Sequence, residues 1–222
     1  MNDKQRKFWG PYIAALGFEN FNTNGMFIQS KHYCGMDISQ AKGAEEFGAS
    51  QLEGILRKHT IYQDLLKKPS LGNEDLSEIF TWLVEKPFFD EELVRLFTNY
   101  KLDLTDEEYW ELVKDIWCRQ ELNSDGNRKK NWKLIFNHRP RLPSLTEELP
   151  DTFTAYRAGK TDGFSWSLDK KTAEWFHNRF KSQFGNIPFL TNQFTKEDVV
   201  FYTNDRNEQE VVVIPSKSKS KS

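Results

Sequence analysis

Apolar positions follow a helical period in the first half of the chain and an alternating one in the second. Residues 1–48 carry neither clearly. Phe18, Phe21 and Phe27 are interleaved with Asn, Gly and Thr, which predicts turns and short irregular or strand segments. From Ser50 the period turns helical: Ser50 and Glu53 have capping-box spacing, and Leu52, Ile55, Leu56, His59 and Leu66 follow one face. Asn73 is expected to cap a helix bearing Leu76, Ile79, Phe80 and Leu83, and Asp90 another bearing Leu93, Leu96 and Phe97. The short links between these helices predict antiparallel neighbours. Thr105 and Glu108 form a second capping box, followed by the apolar stripe Tyr109, Leu112, Val113, Ile116 and Trp117. NSDGN (123–127) is expected to end that helix. NWKLIF (131–136) resumes order, and the Pro-rich RPRLPSLTEELP (139–150) reads as a surface connection.

After Pro150 the pattern becomes mixed. TFTAYRAG (152–159) alternates like a strand, with Phe153 and Ala155 on one side and Tyr156 opposite, and GFSWSL (163–168) is a second short strand. Asp169 is expected to cap a helix on which Ala173, Phe176 and Phe180 share a face. DVVFYT (198–203), a turn at NDRN and the strand EQEVVVI complete the region.

Composition narrows the class. At 222 residues the chain holds one large domain, or a domain plus a smaller helical extension. The net charge is −2, and three lysines lie in the low-complexity tail 216–222, which is expected to be disordered. No overall basic field therefore argues for nucleic-acid binding. A local run of Arg128, Lys129 and Lys130, with Trp132, Lys133, Arg139 and Arg141 nearby, reads first as a solvated face, with a nucleic-acid contact as the alternative. Cys34 and Cys118 stand far apart in no ligand pattern, and His32, His59, His138 and His177 show no metal-ligand spacing. Two reduced thiols, no metal and a cytoplasmic location are the expectations. The N-terminal stretch is a poor signal peptide because Pro11 breaks its apolar run and no cleavage site follows.

The candidate chemistry lies in RNEQEVVVIP (206–215). In an extended strand, Glu208 and Glu210 point to one side and Gln209 to the other. Two carboxylates that close disfavour double ionisation, so the arrangement suits a cationic partner or a reaction that develops positive charge.

Three elements in order, Arg157 in AYRAG, Ser165-Trp166-Ser167 in GFSWSL and Glu208-Gln209-Glu210, resemble the ADP-ribosyltransferase superfamily, in its Arg, Ser-x-Ser, Glu-x-Glu branch. The segment is also similar to uncharacterised phage and bacterial proteins of toxin type. The resemblance covers residues 105–215 and departs from the family in two places. Ser-Trp-Ser stands for the more usual Ser-Thr-Ser, and Tyr-Arg-Ala-Gly for Tyr-Arg-Gly.

The resemblance implies an α+β fold: an ADP-ribosyltransferase-like split β-sandwich with helices at 105–215, after a mainly helical region at 1–104. It implies NAD as co-substrate, without metal, and transfer of ADP-ribose to a macromolecule. Protein is the preferred acceptor and RNA or DNA the alternative. Glu210 would hold the ribose and stabilise the oxocarbenium-like state. Glu208 would activate the acceptor as a general base. Ser165 would orient Glu210 and the nucleotide, Arg157 would hold the phosphates through its forked guanidinium, and Ser167 would support the strand within the NAD site. Trp166 reads as core, His177 as structural and Arg206 as a solvated turn residue. The rival readings are an NAD glycohydrolase, an inactive binding module of the same fold, and an interaction protein. A toxin or phage–host conflict role, with an antitoxin or chaperone bound by the N-terminal region, is the biological setting this implies.

Overall fold

A computed structural model describes residues 2–17, 21–24, 26–40, 44–120 and 126–214. The chain is of mixed helix and strand, with open sheets, and divides into two compact units. One comprises residues 1–105 with 119–121, the other 106–118 with 122–222. The expected tail at 216–222 and most of NSDGN lie outside the described residues.

The first unit joins helices with short strands, three of which fall at 21–36, where the pattern predicts turns and short irregular or strand segments. Helix α1 (Asp3–Leu16) opens it, capped by a reciprocal box in which Asn2 accepts from the Gln5 N–H and Gln5 accepts from the Asn2 N–H. The sequence reading missed this helix because Pro11 interrupts it. Pro11 removes one ladder hydrogen bond, yet Trp9 and Tyr12 on the same helix are fully buried and hold it in place. An antiparallel meander of β1 (Phe21–Asn24), β2 (Phe27–Ser30) and β3 (Tyr33–Met36) follows. Its Phe21 and Ile28 pack with Trp9, Tyr12 and Ile55.

Helix α2 (Ala44–Leu65) begins before Ser50, so that residue is an exposed position within a helix and not its cap. Helix α3 (Asn73–Glu78) is capped at Gly72, whose N–H is accepted by Asp75, and it runs on into a π-turn at Ile79–Leu83. Helix α4 (Phe89–Asn99) starts one residue before Asp90. The buried Asp90 carboxylate instead accepts from the Gln120 amide at 2.6 Å. Two residues of β4 (Leu71–Gly72) pair in parallel with β5 (Leu102–Asp103).

The second unit is built on one sheet. Helix α5 (Asp106–Arg119) starts directly after Thr105 and buries the expected stripe, and α6 (Gly126–Phe136) buries Trp132, Ile135 and Phe136. Then come β6 (Thr152–Ala158), β7 (Ser165–Ser167), α7 (Lys170–Phe184), β8 (Phe189–Thr195), β9 (Val199–Thr203) and β10 (Glu210–Val213). The strand order is β8-β6-β7-β10-β9, every neighbour antiparallel. This differs from the expected sandwich of two small sheets. β10 pairs with both β7 and β9, so hydrogen bonding runs unbroken across all five strands among the described residues.

Strand alternation sorts the side chains. Trp166, Val211, Val213, Ala155 and Val199 share one core with Leu149, so part of the Pro-rich connection is buried. Trp117, Trp132, Phe136, Phe164 and Phe201 make a second, aromatic cluster of mostly edge-on rings. Strand β8 was not anticipated. Its middle is exposed on both faces, which leaves little periodic signal.

Candidate functional site

Arg157, Ser165, Ser167 and Glu210 fall on three adjacent strands. β6 carries Arg157, β7 carries Ser165 and Ser167, and β10 begins at Glu210. Ser167 stands opposite both Tyr156 and Glu210, and Glu210 also opposite Thr203.

The Glu-x-Glu segment is not the uniform strand that alternation predicts. Asn207 and Gln209 adopt positive φ of 55° and 45°, and the strand starts only at Glu210. Glu208 therefore sits in a tight turn, where left-handed residues cost strain. The Asn204 side chain accepts the Gln209 N–H at 3.1 Å, and Ser167 Oγ donates to the Glu208 carbonyl at 2.6 Å. Both contacts hold the turn. Ser167 is accordingly turned toward the backbone and pins Glu208.

The like-charge conflict read from the sequence is met by a residue assigned there to solvent. Arg206 Nη2 lies 3.1 Å from Glu208 Oε2 and 3.4 Å from Glu210 Oε2. Two left-handed residues curl the turn so that a guanidinium three residues after Thr203 reaches both carboxylates. Glu210 is only 4% exposed, and its other oxygen accepts from the Trp117 indole N–H at 3.1 Å. A buried carboxylate needs such donors, since an unpaired buried charge is costly. Trp117 was read as part of an apolar stripe, and its burial fits that reading. The sequence holds no sign that its one polar atom faces Glu210, 93 positions away.

Burial raises the pKa of Glu208 above the ordinary carboxylate value; Arg206 acts against this and Glu210 with it. Nearby, Cys118 Sγ is 3.9 Å from Thr203 Oγ1 and 3.8 Å from Asp205, and burial raises its thiol pKa.

Arg157 gives part of its fork to nearby backbone, in the loop after β6 and at the start of β7. Nε donates to the Lys160 carbonyl at 3.0 Å and Nη1 to the Ser165 carbonyl, using two of five guanidinium donors. The fork lies flat against Gly163, where an added Cβ would stand 1.9 Å from Nη2. Burial lowers the Arg157 pKa, while Asp162 and Glu210 act in the opposite sense, so the Glu210 charge is felt at the arginine. Gly159 ends β6 at φ 109°, with its N–H on the Pro188 carbonyl. The displaced glycine of Tyr-Arg-Ala-Gly is thus a turning point where a side chain would be strained.

A groove of about 360 Å³ opens beside the turn, lined by Asp169, by Lys171, Thr172, Trp175 and Phe176 of α7, and by Arg206, Asn207 and Glu208. Arg157, Ser165 and Glu210 are not in its lining. Asp169 caps α7 as expected, accepting from the Lys171 and Thr172 N–H groups. His177 meets the Ile187 carbonyl at 2.9 Å and holds the link to β8. In the basic run 128–141, Trp132 is buried in the aromatic cluster, Lys129 pairs with Asp162 and Arg139 with Asp106. Among the described residues no three His, Cys, Asp or Glu side chains converge as a metal cluster, and no helix is long and apolar enough to cross a membrane. Comparison with protein-family models, curated proteins and solved structures finds no match to the chain.

Proposed function

We propose that the second unit is an ADP-ribosyltransferase-like catalytic domain that moves ADP-ribose from NAD to a macromolecular acceptor and releases nicotinamide. One observation supports this above the others. Arg157, the Ser-x-Ser pair and Glu210, spread over more than 50 residues, lie on β6, β7 and β10, hydrogen-bonded neighbours at the middle of one sheet, with Glu208 in the turn just before β10. A buried carboxylate fixed by two donors stands at the end of the third.

In this reading the bond between ribose and nicotinamide breaks, nicotinamide leaves, and the ribose carbon carries developing positive charge. Glu210, oriented by Trp117, faces that charge where it forms, which favours the transition state over the bound substrate. The acceptor atom bonds to the ribose carbon and its proton passes to Glu208. The raised pKa of Glu208 suits it to take that proton nearer neutral pH. Arg157 meets the pyrophosphate with the donors its loop does not use, Ser165 abuts the nucleotide, and Ser167 positions Glu208 through its backbone. Arg206 holds the two carboxylates ready and is displaced as the substrate enters; at 45% exposed it has room to swing.

The same ion pair favours a second reading, an ADP-ribosyltransferase-like module that binds without catalysing, in which Arg206 permanently satisfies both glutamates. Incubation with NAD labelled in the adenylate portion and a cell lysate separates the two. Transfer requires nicotinamide release and label on macromolecules, with both falling at least about 100-fold in Glu210→Gln. Free ADP-ribose without any acceptor identifies a glycohydrolase. No nicotinamide release under any condition rules out catalysis and leaves the binding module.

A further inference from the structure

We propose that the exposed face of α7 is a docking track for single-stranded nucleic acid that delivers one nucleoside to the groove beside Glu208. Lys171, Trp175 and Arg179 stand at successive four-residue steps and are all exposed, so they form one stripe with a rise of about 6 Å per step. Trp175 is 56% exposed, whereas Trp110, Trp117, Trp132 and Trp166 of the same unit are at most 5% exposed. An indole left in water, flanked one turn on either side by a cation, is the pairing that stacks a base and neutralises its neighbouring phosphates.

The ring is also held in place. The Arg179 guanidinium lies 5.3 Å from its centroid, and Phe176 meets its edge at 4.9 Å. Charge on α7 points the same way. Lys170, Lys171, Arg179 and Lys181 face a single acid, Glu174, which Lys170 already pairs at 3.6 Å.

The stripe runs into the groove: Lys171 and Trp175 line it, with Asp169, Arg206 and Glu208 as its other charged groups. Glu208, held by Arg206 at 3.1 Å, is an acceptor for a base amino group or a sugar hydroxyl. A volume of about 360 Å³ is at the small end of ligand sites, the scale of one nucleoside and not of a duplex. A strand whose phosphates meet Lys171 at the groove and Arg179 two turns along α7 sets a splayed nucleoside beside Trp175 and Glu208, a posture open to single strands. The basic run at 128–141 is a poorer candidate, because its tryptophan is buried and unavailable for stacking. The track rests on the transfer reading only in making the bound strand the acceptor.

The test is fluorescence anisotropy of the full chain, without NAD, with labelled 12-nucleotide single strands of RNA and DNA at 50–200 mM salt. Binding should weaken with salt. Trp175→Ala should lower affinity about tenfold, the size of one base–aromatic stack, with Trp175→Phe retaining most of it. The double variant Lys171→Ala/Arg179→Ala should flatten the salt slope by about 1. All three side chains are on the surface, and unchanged thermal melts confirm intact folding. Equal affinity for a duplex, no effect of Trp175→Ala, or displacement of the strand by poly-glutamate at equal charge would each overturn the track. Nicotinamide release is measured separately. Lost strand binding with release intact rejects the track alone, and intact binding without release rejects transfer alone.

Discussion

Acidification from pH 7 to 4.5 should destabilise the first unit by about 2–3 kcal/mol through one histidine. The His32 side chain is completely buried. Its Nδ1–H donates to the Leu83 carbonyl, which leaves Nε2 to accept from His59 Nδ1 at 3.3 Å. Burial, joined by the His59 and Lys31 charges, pushes its pKa down to about 4 from 6.5, against the Leu83 contact and Glu92. The unfolded chain binds a proton near pH 6.5, and the folded chain does so only near 4. Between these values the unfolded state holds more protons, so stability falls as pH falls, by about 1.4 kcal/mol per unit. The carboxylates with depressed pKa, Asp37, Asp75 and Glu92, lose their contribution only as pH falls below their ordinary values of 3.8 to 4.5, so this window reports the histidines. The difference between wild type and His32→Gln isolates His32 from His59 and His138, whose pKa values are also lowered. Urea titrations at pH 7.0, 5.5 and 4.5 measure the slope in the wild type and in His32→Gln. His59 is shifted in the same direction, so His59→Gln is measured alongside. The reasoning fails if His32→Gln keeps the wild-type slope, or if the His32 ring proton resonances of the folded protein titrate near pH 6.5.

Other expectations follow from single contacts. Gly163→Ala places a methyl group against the Arg157 fork and not against backbone. That fork also carries the Arg157 contacts to Lys160 and Ser165, so the change should cost about 1–3 kcal/mol of stability and raise the KM for NAD, as Arg157→Ala should too. Because burial raises the Glu208 pKa, the acid limb of the kcat/KM profile for transfer should lie above pH 4.5 and move in Arg206→Ala; an unmoved limb assigns the base elsewhere. Glu92 is buried and meets Lys31 at 2.8 Å, Arg95 at 2.8 Å and the Tyr62 hydroxyl. Glu92→Ala should therefore lower the unfolding free energy by about 3 kcal/mol, read by urea denaturation, whereas a loss under 1 kcal/mol would show that the cluster relaxes into solvent.

The elements that local rules describe were legible. The Asp169 cap, the apolar stripe of α5, and the cores of β6, β7 and β9 depend on residues within a few positions of one another, and the structure has them. Failures came where two local signals compete. Pro11 masked α1 although Asn2 and Gln5 spell a capping box. Ser50 has the spacing of a cap but lies inside α2, because the helix extends upstream to Ala44. Strand β8 pairs along β6 yet exposes its centre, so it carries no alternating pattern.

For the site, sequence alone determined which groups are present: a forked arginine, two serines on one strand face, and two glutamates ahead of a buried valine run. Residue chemistry and order need no coordinates. Only the tertiary structure decided what those groups face. Backbone curvature at Asn207 and Gln209 took Glu208 out of the strand and brought Arg206 to both carboxylates. Packing of α5 aimed the Trp117 N–H at Glu210, and the carbonyls of Lys160 and of Ser165 on β7 claimed two donors of Arg157. The physical reason is common to all three. A charge that loses water must find its partners in space, and partners 4, 8 or 93 residues away are chosen by how the chain folds back, which no local pattern records.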